Sequence, residues 1–600
     1  MYQSLFDMMP SKASHRNNPP HRAPAWKARL PWMVVCWALV SVFLNDGVAQ
    51  DTPIFSHREI FHPVYAEHGM VVSQEAMATR VGVDILKAGG NAIDAAVGVG
   101  FALAVTLPQA GNLGGGGFML IYKAEKNAAM ALDYREVAPA ASLSQMFLDE
   151  EGRVDQSRLR YSYQSVGVPG TVAGLVEALE AHGTLSLQAV LAPAIRLARE
   201  GLIVSHDLAM AMQEHAIHLS QWPSTRRIFF QADGTPYRHG DRLIQDDLAW
   251  SLQQISEQGP RAFYDGPIAE RVTVGMQAHG GLITKEDLRR YRALWREPVR
   301  GTYRGYDIVS MPPPSSGGVH LIQILNILER EPMETFGHNS ARSIHWLVES
   351  MKLAYADRSR WLGDPDFVEV PVHGLISKAY GKGLHAAINP QKARPSSNIQ
   401  PSHPLPFEGR DTTHFSVMDK DGNVVSNTYT INFSFGSGIV AEGTGILLNN
   451  EMDDFVAKPG TPNAYGLMGS TANAVEPGKR PLSSMTPTLV LHKEKPFLVT
   501  GSPGGSHIIT TTLQIIVNVI DHGMNLASAT SAPRVHHQWL PDEVRVERGF
   551  SPDTLTLLEQ WGHTITVGET MGGAQSILRG PQGFYGASDP RKPDSLAAGY

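Results

Sequence analysis

Two adjacent threonines, Thr412 and Thr413, open a run in which polar and apolar side chains roughly alternate (Thr413-His414-Phe415-Ser416-Val417-Met418), so Thr412 stands at the start of an expected strand. A hydroxyl is a weak nucleophile and needs a base. A cut between Asp411 and Thr412 would free an α-amine that titrates near ~8 and lies within reach of the Thr412 hydroxyl, so no separate histidine is required. The same residues have a plainer reading, because threonine pairs at strand starts are simply good β formers. The rest of the chain has to decide between the two.

Several stretches supply groups such a nucleophile could use. Thr413–Met418 and Asn423–Ile431 flank Lys420-Asp421-Gly422, a hairpin signal that returns Thr430 and Asn432 to the side of Thr412. In Val499-Thr500-Gly501-Ser502-Pro503-Gly504-Gly505-Ser506, between an expected strand (Phe497–Thr500) and helix (Ile508–Ile520), the N–H groups of Gly504 and Gly505 form a candidate anion or oxyanion site. The carboxylates and amides of Leu448 to Phe455 read as a solvated turn, as a calcium loop lacking the usual even spacing, or as a pocket for a substrate ammonium. Arg135 ends an expected strand, Ala131–Glu136, between Asp133 and Glu136; it reads either as a surface ion pair or as a grip on a ligand carboxylate.

These residues need a frame to position them. Ser73 is the expected cap of a helix through Leu86, and Asn91 the cap of an apolar core helix, Ala92–Leu107. Gly114 to Gly117 let the backbone approach something closely, but Phe118-Met119-Leu120 follows where a phosphate loop needs Lys-Ser/Thr, which excludes nucleotide binding there. Residues 160 to 400 read as mostly helical, Ser343–Leu362 included, with a strand at Tyr303–Val309. The stiff loop Met311-Pro312-Pro313-Pro314-Ser315-Ser316-Gly317-Gly318 is expected to wall a cleft and to lead into a helix from about Val319. After Thr412 the pattern turns mainly to strands. No linker, repeat or low-complexity tract divides the chain, which favours one globule of two interlocked halves.

The N-terminus carries a basic leader, an apolar run Met33–Leu44 short of the length that spans a bilayer, and small residues Gly47 and Ala49; it reads as an export signal cleaved after Ala49, the alternative being an uncleaved anchor that holds the same domain outside the membrane. The single cysteine, Cys36, lies inside it, so the mature chain has no thiol for a disulfide, metal or nucleophile. A chain of 600 residues with 42% hydrophobic content can be held by packing alone. The net charge of −7, without basic runs beyond the leader, argues against nucleic acid.

Taken together and in order, Gly89-Gly90-Asn91-Ala92-Ile93-Asp94-Ala95-Ala96, Leu132-Asp133-Tyr134-Arg135-Glu136, the Met311–Gly318 loop, Thr412-Thr413-His414-Phe415-Ser416, Asn449-Asn450-Glu451-Met452-Asp453-Asp454-Phe455, Pro481-Leu482-Ser483-Ser484-Met485 and Gly501-Ser502-Pro503-Gly504-Gly505 resemble the γ-glutamyltransferase (γ-glutamyltranspeptidase) family, bacterial periplasmic type, from about Val71 to Tyr600. The resemblance implies an α+β, N-terminal-nucleophile hydrolase with an αββα sandwich. It further implies self-cleavage into a large subunit (50–411, after a signal at 1–49) and a small one (412–600) that remain a heterodimer. By the same resemblance Thr412 is the nucleophile with its amine as base, and Thr430 bonds it and assists cleavage. Arg135, Ser483 and Ser484 hold the α-carboxylate of the donor, Asn432, Glu451 and Asp454 its α-ammonium, and Gly504 and Gly505 the oxyanion. The segment Pro459–Ser470, with Tyr465, resembles a lid. The implied substrates are glutathione and related γ-glutamyl compounds, with water, amino acids or dipeptides as acceptors; neither metal nor cofactor is implied, and no stable membrane association. The alternatives are a cephalosporin or glutaryl acylase of the same fold, or a secreted binding protein that does not mature.

Overall fold

The computed structural model describes residues 59–400, 411–458 and 471–600. The export signal, Cys36 and the lid residue Tyr465 lie outside the described residues. Residues 54–600 form one compact unit.

Fourteen strands make two seven-stranded antiparallel sheets. In chain order they are β1 (Val64–Ala66), β2 (Met70–Ser73), β3 (Gly116–Lys123), β4 (Ala128–Tyr134), β5 (Leu294–Arg296), β6 (Val299–Tyr303), β7 (Tyr306–Ser310), β8 (Asp411–Met418), β9 (Val424–Asn432), β10 (Thr488–His492), β11 (Lys495–Thr500), β12 (Gln575–Arg579), β13 (Phe584–Ser588) and β14 (Leu596–Gly599). The first sheet runs β14-β2-β8-β9-β3-β4-β5 and the second β1-β13-β12-β11-β10-β7-β6.

Side-chain alternation explains the layering. In β3, Phe118 and Leu120 join Val309, Leu489, Val499 and Ile577 of the second sheet in a core between the sheets, whereas Met119 and Ile121 point the other way into a helical core. That outer core is built on α1 (Ala76–Lys87), α2 (Ala92–Thr106) and α3 (Thr171–His182). On the far side α4 (Gly317–Leu328), α5 (Ala341–Trp361) and α6 (His507–Ile520) pack on Ile308, Val490 and Leu498. The result is the expected αββα arrangement. Among the described residues no helix is long and apolar enough to cross a membrane.

Helix α2 matches its expected form: every residue is buried, and Asn91 and Asp94 make a reciprocal capping box. The close approach expected at the glycines is to protein backbone. A Cβ on Gly115 would sit 2.0 Å from the Thr430 carbonyl oxygen, so the glycines let β3 press against β9 and its continuation.

Three local expectations are corrected. The cap of α1 is Glu75, whose carboxylate accepts from the N–H groups of Met77 and Ala78 at 2.9 Å; Ser73 ends β2. The single strand at Tyr303–Val309 is a hairpin, β6 and β7, turning at Arg304 and Gly305, both with positive φ. Arginine is a poor signal for a left-handed turn residue; here its guanidinium is anchored to Asp521 (2.9 Å) and to the Glu329 carbonyl (2.8 Å). Arg135 lies just past the end of β4 and is buried, so the surface ion-pair reading fails.

Candidate active site

The site forms where β8 begins and β9 ends. Thr412 pairs with Thr430, and a register shift between Asp411 and Thr412 sets Asp411 opposite Asn432. The bulge lets the chain turn away at Asn432, whose φ of 73° is one that asparagine tolerates better than most residues. The Asn432 N–H donates to the Thr430 hydroxyl at 2.8 Å, and its side-chain amide donates to the Asn450 carbonyl at 3.0 Å. The hairpin thereby joins the nucleophile strand to the acidic segment Glu451–Asp454, a single 3₁₀ turn.

That turn is fixed by amides that sequence reading did not single out. The Asn449 side chain accepts from the N–H groups of Gly167 (2.8 Å) and Glu451 (3.0 Å) and donates to the carbonyls of Gly114 and Gly167, both at 2.8 Å. Asn473 donates to the Asp454 carbonyl (2.7 Å) and accepts from the Leu482 N–H (3.0 Å), tying the turn to the serine segment. A polar residue in a polar loop gives no sequence signal that its partners are buried backbone.

Arg135 faces this turn. Its guanidinium bonds Glu451 and Asp454, lies 3.6 Å from Glu136, and donates to the carbonyls of Pro481 (3.2 Å) and Leu482 (3.3 Å). Burial by itself would lower the affinity of Arg135 for its proton, but the attraction of Glu451, Asp454 and Glu136 outweighs it and holds the cation. Burial pushes all three acids up against the pull of Arg135, Glu136 to about 7. With three carboxyls gathered around the Arg135 guanidinium and held up by burial, an incoming ammonium would favour their charged forms, so a second cation is the natural complement.

The serines come from the strip after Pro481. The Ser483 N–H donates to the Pro314 carbonyl (2.9 Å), and its own carbonyl accepts from the Ser316 N–H (2.7 Å), so the proline loop braces the serine strip without itself lining the cavity at Thr412. The Ser484 hydroxyl accepts from Arg358 (3.2 Å), which also bonds the Ser316 hydroxyl (2.7 Å).

A single small cavity of about 10 Å³ is lined by Arg135, Thr412, Thr430, Asn432, Glu451, Asp454, Ser483, Met485 and Ile508. Seven of the expected site residues are thus brought together, while Met485 and Ile508 were not anticipated. Ser484, Gly504 and Gly505 do not line it: the Ser484 hydroxyl is taken by Arg358, and the glycines precede α6, whose second residue is Ile508. The volume is barely that of one water, so in the continuous chain, with Thr412 still amide-bonded to Asp411, the acids are occupied by Arg135. A ligand with an adjacent carboxylate and ammonium could exchange for that internal pairing one charge for one charge.

His414, next to the threonines, is excluded as the base. Burial lowers its pKa to about 3, and its ring nitrogens bond Thr428 (2.8 Å) and Ser416 (3.1 Å).

Comparison with known proteins places the chain among similar sequences and folds. The family model for gamma-glutamyltranspeptidase matches residues 78–599. The chain is 56% identical over 543 residues to a glutathione hydrolase proenzyme of Escherichia coli (strain K12), covering 90% of this chain and 93% of that protein. It is 39% identical to the Acylase ACY 1 proenzyme of Pseudomonas sp. (strain SE83), over 87% and 91% of the two chains. Among solved structures it resembles a cephalosporin acylase from Bacillus halodurans (TM-score 0.79, 30% identity, 92% of this chain and 98% of that one). It also resembles the Helicobacter pylori gamma-glutamyltranspeptidase (TM-score 0.55, 45% identity, 57% and 97%).

Proposed function

The chain belongs to the γ-glutamyltranspeptidase family, and from that premise we propose that Thr412 is the nucleophile of a self-cleaving glutathione hydrolase and γ-glutamyltransferase. The observation that carries the reading is the meeting of Thr412, Thr430, Arg135, Glu451 and Asp454 in one buried cavity. Cleavage before Thr412 turns a buried amide nitrogen into the base that activates the neighbouring hydroxyl. The donor's α-carboxylate takes Arg135 with Ser483 and Ser484, and its α-ammonium takes Glu451, Asp454 and Asn432; Arg358 holds the Ser484 hydroxyl at 3.2 Å. This pairing orients the γ-carbonyl. Thr412 attacks it, the N–H groups of Gly504 and Gly505 receive the oxyanion, and the amine leaves. The γ-glutamyl ester then passes to water or to the amino group of an amino acid or peptide.

The two pieces, 50–411 and 412–600, stay together as a heterodimer, and residues 1–49 export the chain to the periplasm. An acylase is the second reading, supported by the structural likeness to a cephalosporin acylase. The acids beside Arg135, whose charged forms an incoming cation would stabilise, favour a donor that brings an ammonium, which a glutaryl group lacks.

Intact mass and denaturing gels of wild type beside Thr412→Ala test the proposal. Wild type should split between Asp411 and Thr412 and release amine from a γ-glutamyl anilide, and the variant should do neither. A wild-type chain that stays whole and inactive would overturn it.

A further inference from the structure

Far from the threonine site, helix α5 places His345 and Glu349 four residues apart on one face, where they meet His563. All three are buried, and one nitrogen or oxygen from each lies within 4.8 Å of the others. Nothing in the γ-glutamyl reaction uses them.

The hydrogen bonds fix which nitrogen is available. His345 Nε2 is 2.8 Å from the Asn389 carbonyl, so that nitrogen carries the proton and Nδ1 is a lone pair. His345 Nδ1 lies 2.8 Å from His563 Nε2, which must therefore be the donor, leaving His563 Nδ1 a buried lone pair with no hydrogen-bond partner. A backbone carbonyl on the far nitrogen of an imidazole is the usual way a metal-binding histidine is oriented.

We propose that His345, Glu349 and His563 bind a divalent transition-metal ion of the zinc class, through His345 Nδ1, His563 Nε2 and a Glu349 carboxylate oxygen, the His563 proton moving from Nε2 to the vacant Nδ1 as the ion enters. Two imidazoles and a carboxylate suit zinc or cobalt rather than calcium or magnesium. At a metal–nitrogen distance of about 2.1 Å, tetrahedral geometry asks the two histidine nitrogens to separate by roughly half an ångström from their present contact. Lys352 is the competing charge, since its ammonium lies 2.9 Å from Glu349. It also has the Arg394 carbonyl at 3.0 Å and Asp542 at 3.7 Å, so it keeps two acceptors when Glu349 turns to the metal. Resting on the proposed cleavage before Thr412, the ligands come from both pieces, and the ion clasps α5 of the large piece to the C-terminal part of the small one.

The test uses full-length protein stripped with a chelator and titrated with Co²⁺. One equivalent should bind with the visible d–d absorption of a four-coordinate ion, and Zn²⁺ should displace it. His563→Gln and Glu349→Gln should each weaken binding by more than about 100-fold, because even outer-shell partners of a metal cost about 10–100-fold. Lys352→Met should tighten it by removing the rival cation. Thr412→Ala should bind like wild type, which separates failure of this site from failure of the cleavage reading. Chelation should lower the unfolding midpoint of wild type and leave that of His563→Gln unchanged. Absence of a saturable one-equivalent site in wild type and Lys352→Met, or wild-type affinity in either glutamine variant, would overturn the proposal.

Discussion

Arg135 shows how far a residue's setting can lie from its neighbours in the chain. Its sequence neighbours Asp133 and Glu136 suggested a surface pair, yet the acids it bonds are Glu451 and Asp454, more than 300 positions along the chain. No local pattern reports such a contact. Thr412 and Thr430 were different, because a hairpin turn fixes register and so places one threonine opposite the other. Arg135 also carries two burdens that experiment can separate. Arg135→Gln should raise KM for a γ-glutamyl anilide by about 100-fold, the equivalent of about 2.7 kcal/mol, through loss of the carboxylate anchor. It should also destabilise the fold by about 3–5 kcal/mol, because Glu451 and Asp454 lose their buried counter-charge. Adding Asp454→Asn should recover part of the stability, read from the urea midpoint, without restoring KM. An unchanged KM in Arg135→Gln would remove Arg135 from donor binding.

At the scale of elements, the long periodic or strongly punctuated pieces were readable: α2 with its Asn91 cap, the β8–β9 hairpin, and α6 after the glycine loop. What escaped was the contact between elements that never touch in sequence, as with Gly115 against β9. Gly501 is a second case. A Cβ there would lie 2.4 Å from the His414 ring, so the glycine loop and the nucleophile strand are packed to contact. The ring is held by Thr428 and Ser416; the Ser416 hydroxyl donates to the Gln575 carbonyl (2.9 Å), and the Gln575 N–H donates back to the Gly501 carbonyl (3.1 Å). His414 therefore spaces β8 from the loop that carries Gly504 and Gly505. Gly501→Ala should push that loop outward and weaken oxyanion contacts, lowering kcat by about 10²–10³-fold as loss of one donor does, with KM within about twofold. Since Arg135 and the acids lie elsewhere, a KM effect as large as the kcat effect would show that the substitution disturbs the whole site and refute the spacing role.

On the scale of the molecule, the sequence suggested two interlocked halves without showing how they interlock. The sheets show it. On either side of the proposed cut, strands alternate within both sheets: β14 pairs with β2, β2 with β8 and β9 with β3 in the first, β13 with β1 and β10 with β7 in the second. In each of these pairs one strand precedes Thr412 and the other follows Asp411. The two inner-sheet pairings matter most, since β8 and β9 have strands of the preceding piece on both flanks. A cut before Thr412 breaks one peptide bond at the very start of β8 and leaves the ladder from Thr413 to Met418 in place. Separating the pieces would break five strand pairings, exposing an edge on each partner, together with the core between the sheets, and exposed edges of that kind pair or aggregate rather than remain in water. The cleaved protein should therefore elute in native size exclusion as one species containing both pieces and should unfold in one cooperative transition. Residues 412–600 expressed alone should be insoluble or unfolded. Independent elution of the pieces without denaturant would mean that the shared ladders do not hold the molecule together.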